Sequence, residues 1–497
     1  MLVVARRGNR LHAPEGTRMA LISAYTAGAG GLELDVQMTR DGQLVVSHDP
    51  AVAGADMAQL RTQSVSASFR PRGAAAGYRY RPGKKPDVIE RLGALLDLLP
   101  HDVPKLVGLG SDALVPAAAE AIAARRMAGE VVLTSPDPGA LGHARALLPD
   151  AAILPPEAIV DIGDVLGPHP AVTDARGSAL GLLVRIDRDV AVPTAEELEA
   201  LAALGFVWAV STDSMLDIAE AVRSPQVVVA ESFAGTTVDT DRFALGYAKA
   251  NQYCHVFQDD GVHVKISEWD GDPPPSRDPV ELRLRRIEER LWYALRDWPF
   301  YSGGGLGVVE GLEGDFTAEI DYTTTRAGQA STLEMALVNV DPTKHQEPWN
   351  PDGTPRLPQT IHDKSIFFDP HGAPPFVGSE HDEDDGYRIN ANLGSDYDDN
   401  QWGRPVGDGS ALAGRLRLER RGPYFAAYYR NDQAPDWVCT GATRNDSMNP
   451  RVFLRCAGKR WRQEREDDPS RYYPIVPVEF VFRDLAITRW WPGPDAG

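Results

Sequence analysis

The fold is decided by two neighbouring stretches, Ala5–Thr17, ARRGNRLHAPEGT, and Gly31–Pro50, GLELDVQMTRDGQLVVSHDP. In the second, Glu33 and Asp35 alternate along an extended apolar run, so both carboxylates stand on one face of a strand. Two acids on a half-buried strand need a positive partner, and an all-oxygen pair suits a hard divalent cation such as Ca²⁺ or Mg²⁺. His48 closes the next extended run, where an imidazole is placed to move a proton. Arg7, just after the first strand, offers a planar fork for a phosphate.

Outward from this pair, residues 1 to about 230 alternate short β-branched runs with Ala/Leu/Glu-rich stretches of helical period, the pattern of parallel βαβ units. Strands are expected at Leu2–Ala5, Leu32–Val36, Leu106–Leu109, Val131–Leu133, Ala151–Leu154, Leu182–Ile186, Phe206–Val210 and Val227–Ala230. About eight is the number that closes a (β/α)8 TIM barrel, whose active sites lie at the C-terminal ends of the strands. A capping box, Thr194 with Glu197, opens one helix, and the glycines after Ala29 end the first.

The two stretches resemble the glycerophosphodiester phosphodiesterase family in residues and in spacing. That family opens with His-Arg-Gly, then Pro-Glu-Asn-Thr, Glu-Leu-Asp-Val, Thr-x-Asp-Gly and His-Asp. Here Arg7, Gly8, Pro14, Glu15, Thr17, Glu33 to Val36, Thr39, Asp41, Gly42, His48 and Asp49 fall in register without a gap. Looser matches follow at Val131–Pro138 and at Leu204–Met215, which looks like the family's late strand ending in Thr-Asp. The resemblance implies two histidines as general acid and base, an arginine on the phosphate, and Ca²⁺ or Mg²⁺ held by two glutamates and an aspartate. Carried over residue by residue, Arg7 and His48 are catalytic, and Glu33 and Asp35 are metal ligands.

Two departures set this chain apart. Arg6 replaces the first catalytic histidine and cannot shuttle a proton, because its pKa lies above about 12. The third-strand motif, Asn-x-Glu-x-Lys in the family, reads GLGSD, with Gly108, Gly110 and Asp112 on the inward positions. The metal is therefore expected to be weakened, with Asp112 as the candidate third ligand. His12, in the same loop, is the candidate stand-in for the lost histidine.

Past Ser232 the helical period fades, apart from Pro279–Trp298, and aromatic, Gly, Asp and Pro content rises. The expected domains are a barrel over 1–232, a linker with strand and helix over 233–300, and a β-sandwich over 301–497. Alternating strands are expected at Phe316–Tyr322, Thr332–Val340, Leu412–Glu419, Tyr424–Tyr429, Val452–Cys456 and Val478–Arg483. Gly414–Asp432 and Val476–Trp490 resemble the strand pair and the closing strand of concanavalin-A-like jelly rolls. That resemblance implies glycan binding, with Trp402, Tyr397 and Tyr387, and also Trp349, Tyr428 and Tyr429, as candidate platforms. Glu380–Gly386 and Asp396–Asn400 offer oxygens for Ca²⁺ in the sandwich loops.

Composition narrows the function. The 497 residues exceed a single core, and 43% hydrophobic with 25% charged residues describes a packed soluble chain. Net charge −20, from 71 acidic against 51 basic residues, disfavours nucleic acid. Cys254, Cys439 and Cys456 are too few for a disulfide framework; a Cys439–Cys456 pair is the alternative to their reading as buried free thiols. Neither a membrane span nor a signal peptide is expected.

Two functions follow. The first is a surface-binding or structural protein, a catalytically degenerate barrel beside a carbohydrate-binding sandwich. Its expected partner is a cell-surface glycan, a glycerophosphate polymer or the other subunits of a larger assembly. The second is an active phosphodiesterase on lipid head groups or envelope polymers. The architecture also resembles structural components of phage tails, so a virion tail or a cytoplasm is the expected location.

Overall fold

The computed structural model describes residues 2–62, 69–72, 74, 88–161, 182–186, 194–203, 207–213, 215, 216, 218, 226–247, 254–266, 301–325, 331–339, 375–382, 386–392, 400–402, 407, 409–461, 464, 465, 468–472 and 477–489. Pro279–Trp298 and Trp349 lie outside them. The chain divides into two compact units. The first is Met1–Gln226 with Glu419–Ala426 and Ala434–Arg444; the second is Val227–Leu418 with Ala427–Gln433 and Asn445–Gly497.

In the first unit the strands are β1 (Leu2–Ala5), β2 (Gly31–Met38), β3 (Leu44–Val46), β4 (Lys105–Leu109), β5 (Val131–Thr134), β6 (Ala152–Ile153), β7 (Ile159–Asp161), β8 (Leu182–Ile186) and β9 (Val207–Thr212). Their order is β6-β5-β4-β2-β1-β9-β8-β7, with β3 an antiparallel addition to β2. β1 pairs in parallel with both β2 and β9, and the two ends of the path, β6 and β7, are consecutive in the chain. This is the strand order of a (β/α)8 barrel. Val4, Leu106, Val132, Leu183 and Val210 are buried in one cluster, as parallel strands covered on both faces require.

One expected barrel strand is corrected. Val227–Ala230 is extended, within Gln226–Glu231, but it pairs with Val478–Arg489 in an antiparallel sheet of the second unit. Ile159–Asp161 supplies the missing parallel strand. Gln226–Glu231 is largely exposed, with Val227 at 59%, which suits an edge and not a strand buried on both faces. The three residues of Ile159–Asp161 are too short for periodicity to mark.

The first helix, α1 (Arg18–Thr26), starts at Thr17, whose Oγ1 accepts from the Ala20 amide at 3.1 Å. It ends one turn before the glycine pair: Ala29 N–H donates to Ala24 C=O and Gly28 N–H to Tyr25 C=O, with Gly28 at φ +97°. The terminating glycine is Gly28. Arg421, from the segment Glu419–Ala426 of the same unit, caps this end. Its Nη1 donates to Tyr25 C=O at 3.1 Å and Ala29 C=O at 2.8 Å, and its guanidinium lies 3.9 Å above the Tyr25 ring. A cation is well placed at a helix C-terminus. The capping box at Thr194 and Glu197 is present, each backbone amide donating to the other's side chain.

The second unit is built from two antiparallel sheets. One runs Cys254–Gln258, Val262–Ile266, Val478–Arg489 and Phe316–Thr324 to the strands Ala413–Arg421 and Tyr424–Asn431, which belong to this unit as far as Leu418 and from Ala427. The other runs Phe243–Tyr247, Tyr301–Val308, Arg451–Trp461, Ser331–Val338, Phe376–Asp382, Gly386–Asn392 and Asn400–Trp402. The sheets face each other: Tyr387 of the second stacks on Tyr429 of the first with ring centroids 3.6 Å apart. Cys439 and Cys456 are buried free thiols. Among the described residues, no helix is long and apolar enough to cross a membrane.

Candidate active site

The backbone around the barrel mouth is shaped by its turn residues. Arg7 (φ 57°) and Gly8 (φ 84°) are successive left-handed residues, and they fold the loop after β1 back over α1. The Thr39–Gln43 turn, closed by Thr39 N–H on Gln43 C=O and by Gly42 at φ +75°, returns the chain antiparallel to β2. Ser47 N–H then donates to Asp35 C=O at 2.8 Å, which sets His48, exposed, beside the end of β2.

Glu33 and Asp35 stand on one side of β2. Asp35 accepts from Arg7 Nε at 2.8 Å. Glu33 is buried, accepts from Ser211 Oγ at 3.0 Å and lies 3.5 Å from Arg185 Nη2. Burial pushes the Glu33 carboxyl above the usual carboxylate range and Asp35 adds to the rise, while Arg185, Arg6 and the Ser211 hydroxyl oppose it. Arg7 also lies 3.6 Å from Glu15, Arg10 lies 3.5 Å from Glu15, and Arg10 Nε is 3.1 Å from the buried Asp213. The structure thus brings together Arg6, Arg7, Glu33 and Asp35, as the spacing suggests. It adds Arg10, Arg185, Ser211 and Asp213, which the sequence reading leaves out. Their signal was present: Arg185 is the one charge in the run LLVRI, and Asp213 follows the strand end VWAVST.

Two expected residues are elsewhere. Asp112 is exposed on the turn after β4, its carboxylate 2.8 Å from His143 Nδ1, and it does not join Glu33 and Asp35. His12 is buried, its Nδ1 2.6 Å from Trp437 C=O, while its own carbonyl accepts from Cys439 N–H. It is built into the packing of the unit and is not the proton carrier that would replace the lost histidine.

A divalent cation of the family's kind does not fit this donor set. Hard cations take six or more oxygens, charged ones foremost. Here Glu33 is buried, bonded to the Ser211 hydroxyl and set beside Arg185, Asp35 is engaged by Arg7, and Gly108 faces Asp35 across the β2–β4 pairing where a carboxylate is wanted. Among the described residues, no three His, Cys, Asp or Glu side chains group to hold a metal.

Of the glycan candidates of the second unit, Tyr387, Tyr428 and Tyr429 are corrected, all three being fully buried. Tyr387 is fully buried; its hydroxyl lies 2.6 Å from Tyr322 Oη and accepts from Asn431 Nδ2, and its ring stacks on His381 and Tyr429. It is core, because alternate positions on a sheet in a sandwich face inward. Tyr397 lies outside the described residues, and Trp402 is placed only as the strand partner of Asn390. Of the first acidic run, Glu380 accepts from Arg388 and Asn390, and Asp382 accepts from Arg388 and Thr332. These buried carboxylates are spent on the sheet and are not loop ligands for Ca²⁺.

The first unit thus has a parallel sheet in the strand order of a (β/α)8 barrel, which it resembles, with arginines and paired acids on and after β1, β2, β8 and β9. The profile of the glycerophosphoryl diester phosphodiesterase family matches residues 7–68. A glycerophosphodiester phosphodiesterase of Caldanaerobacter subterraneus subsp. tengcongensis is 53% identical over 51 residues, 10% of this chain and 21% of that protein. One from Bacillus altitudinis is 32% identical over 109 residues, 21% of this chain and 39% of that protein. The chain thus spans well under half the length of these curated relatives. Among solved structures, the glycerophosphodiester phosphodiesterase of Agrobacterium tumefaciens str. C58 is similar at 18% identity and a TM-score of 0.36, over 44% of this chain and 99% of that one. The N-terminal part of this chain carries a domain of the glycerophosphodiester phosphodiesterase family.

Proposed function

We propose that this protein binds rather than hydrolyses, its barrel a catalytically degenerate phosphodiesterase scaffold and its second unit the partner-recognising part. The carrying observation is Arg6, which stands where the first acid/base histidine is needed and acts electrostatically on Glu33. The burial of His12 removes the nearest substitute. Losing one member of an acid/base pair forfeits about 10²- to 10⁴-fold in rate. The two facing antiparallel sheets are read as a concanavalin-A-like jelly roll. Its partner would be a cell-surface glycan, a glycerophosphate polymer or another subunit of an assembly such as a phage tail. A cytoplasmic setting is the alternative to the virion.

The second reading, an active metal-dependent phosphodiesterase, is favoured by the retention of Arg7, Glu33, Asp35 and His48. The full chain, incubated with glycerophosphocholine and Ca²⁺ or Mg²⁺, separates the two. The expected turnover is at least about a hundredfold below the roughly 10 s⁻¹ of a median enzyme. Turnover within tenfold of that median, abolished by His48→Ala, establishes the second reading instead.

A further inference from the structure

We infer that the barrel mouth is electroneutral without a metal and takes up neither Ca²⁺ nor Mg²⁺, because guanidinium groups hold the positive charge that a divalent cation would otherwise supply. Four arginines, Arg6, Arg7, Arg10 and Arg185, meet four carboxylates, Glu15, Glu33, Asp35 and Asp213, on β2 and β8 and in the segments after β1 and β9. The contacts form a chain: Asp35 to Arg7 at 2.8 Å, Arg7 to Glu15 at 3.6 Å, Glu15 to Arg10 at 3.5 Å and Arg10 to Asp213 at 3.1 Å. Glu33 is served separately, by Arg185 at 3.5 Å and by Arg6.

The balance is therefore four against four. Admitting a dication would leave two uncompensated positive charges among partly buried guanidiniums, and would also require Arg7 to release Asp35. Repulsion between charges a few ångströms apart is strong where water is excluded. At the end of β4 and just past it, Gly108 and Gly110 bring no carboxylate, and the space around Gly110 is open, with no atom within 4 Å of where its Cβ would stand.

The inference is independent of the binding reading. Hydrolysis that proceeds without metal would overturn that reading and leave this one intact. The test is thermal melting of the full chain with CaCl₂, MgCl₂ or EDTA, with calorimetric titration of each cation. The expected result is an unchanged melting temperature and no saturable heat. The double variant Arg6→His/Gly110→Glu removes one positive charge and adds a carboxylate in open space. Its melting temperature is expected to rise by roughly 5–10 °C at a Ca²⁺ concentration about a hundred times its Kd. Saturable Ca²⁺ binding by the unaltered chain that Asp35→Asn abolishes, or a melting temperature lowered by EDTA, overturns the inference. A double variant with an unchanged circular dichroism spectrum and no response to Ca²⁺ also overturns it, since charge compensation is then not what excludes the cation.

Discussion

Substituting Gly8 by alanine tests whether the loop that carries Arg6 and Arg7 is held by backbone geometry. Gly8 sits at φ +84°, and an added Cβ would stand 2.6 Å from the Ala20 carbonyl carbon and 2.7 Å from its oxygen. Both atoms are helix backbone, and that oxygen already accepts the Asn9 amide at 2.9 Å, so neither side yields cheaply. A left-handed non-glycine residue costs about 1–2 kcal/mol, and an overpacked contact adds about 1–3 kcal/mol. The expected loss is about 2–5 kcal/mol. Gly42→Ala is the internal control. It has a similar φ of +75° but nothing within 4 Å, so only the conformational cost of about 1–2 kcal/mol should appear. Urea unfolding followed by circular dichroism measures both. The reasoning is refuted if Gly8→Ala costs no more than Gly42→Ala, because the clash with α1 would then carry no energy.

Two further outcomes are expected. Because the Glu33 carboxyl is raised in the folded state, the native protein keeps that proton to a higher pH than the unfolded chain does, and stability falls as pH climbs from the ordinary carboxylate range through the raised value. Glu33→Gln should flatten this limb, whose slope for one proton is at most about 1.4 kcal/mol per pH unit, and should match or exceed the parent's stability at neutral pH; a limb unchanged by the substitution would contradict the assignment. In the second unit, Glu334 is buried with Lys459 Nζ at 2.6 Å and Arg455 Nη2 at 2.9 Å. Glu334→Leu should cost about 3–5 kcal/mol by stranding two cations, and Lys459→Met should recover part of it, so a double-mutant cycle showing simple additivity within about 0.5 kcal/mol would disprove the coupling.

The barrel was legible because parallel βαβ units write their strands as apolar runs at regular spacing, and seven of the eight expected runs lie on barrel strands. It failed at Val227–Ala230, since a valine run looks alike on an edge and in a barrel until its pairing partner is known. The site was half legible. Strand alternation places Glu33 and Asp35 together from sequence alone, whereas Arg185 reaches Glu33, and Asp213 reaches Arg10, from more than 140 residues away, which only the pairing of β1 with β9 and of β9 with β8 decides.

The sequence by itself determined the two-part plan, because the helical period fades past Ser232, and its resemblance to the family over Arg7 to Asp49 is what implies that Arg6 stands at the place of a histidine. Tertiary structure alone decided what those residues face. His12, an apparent spare imidazole, is closed against Trp437; Tyr387, an apparent sugar platform, lies between two sheets; and Asp112, an apparent ligand, turns to His143. The physical reason is common to all three. A side chain's role is set by the partner that satisfies its polar atoms, and that partner is chosen by contacts between segments distant in the chain.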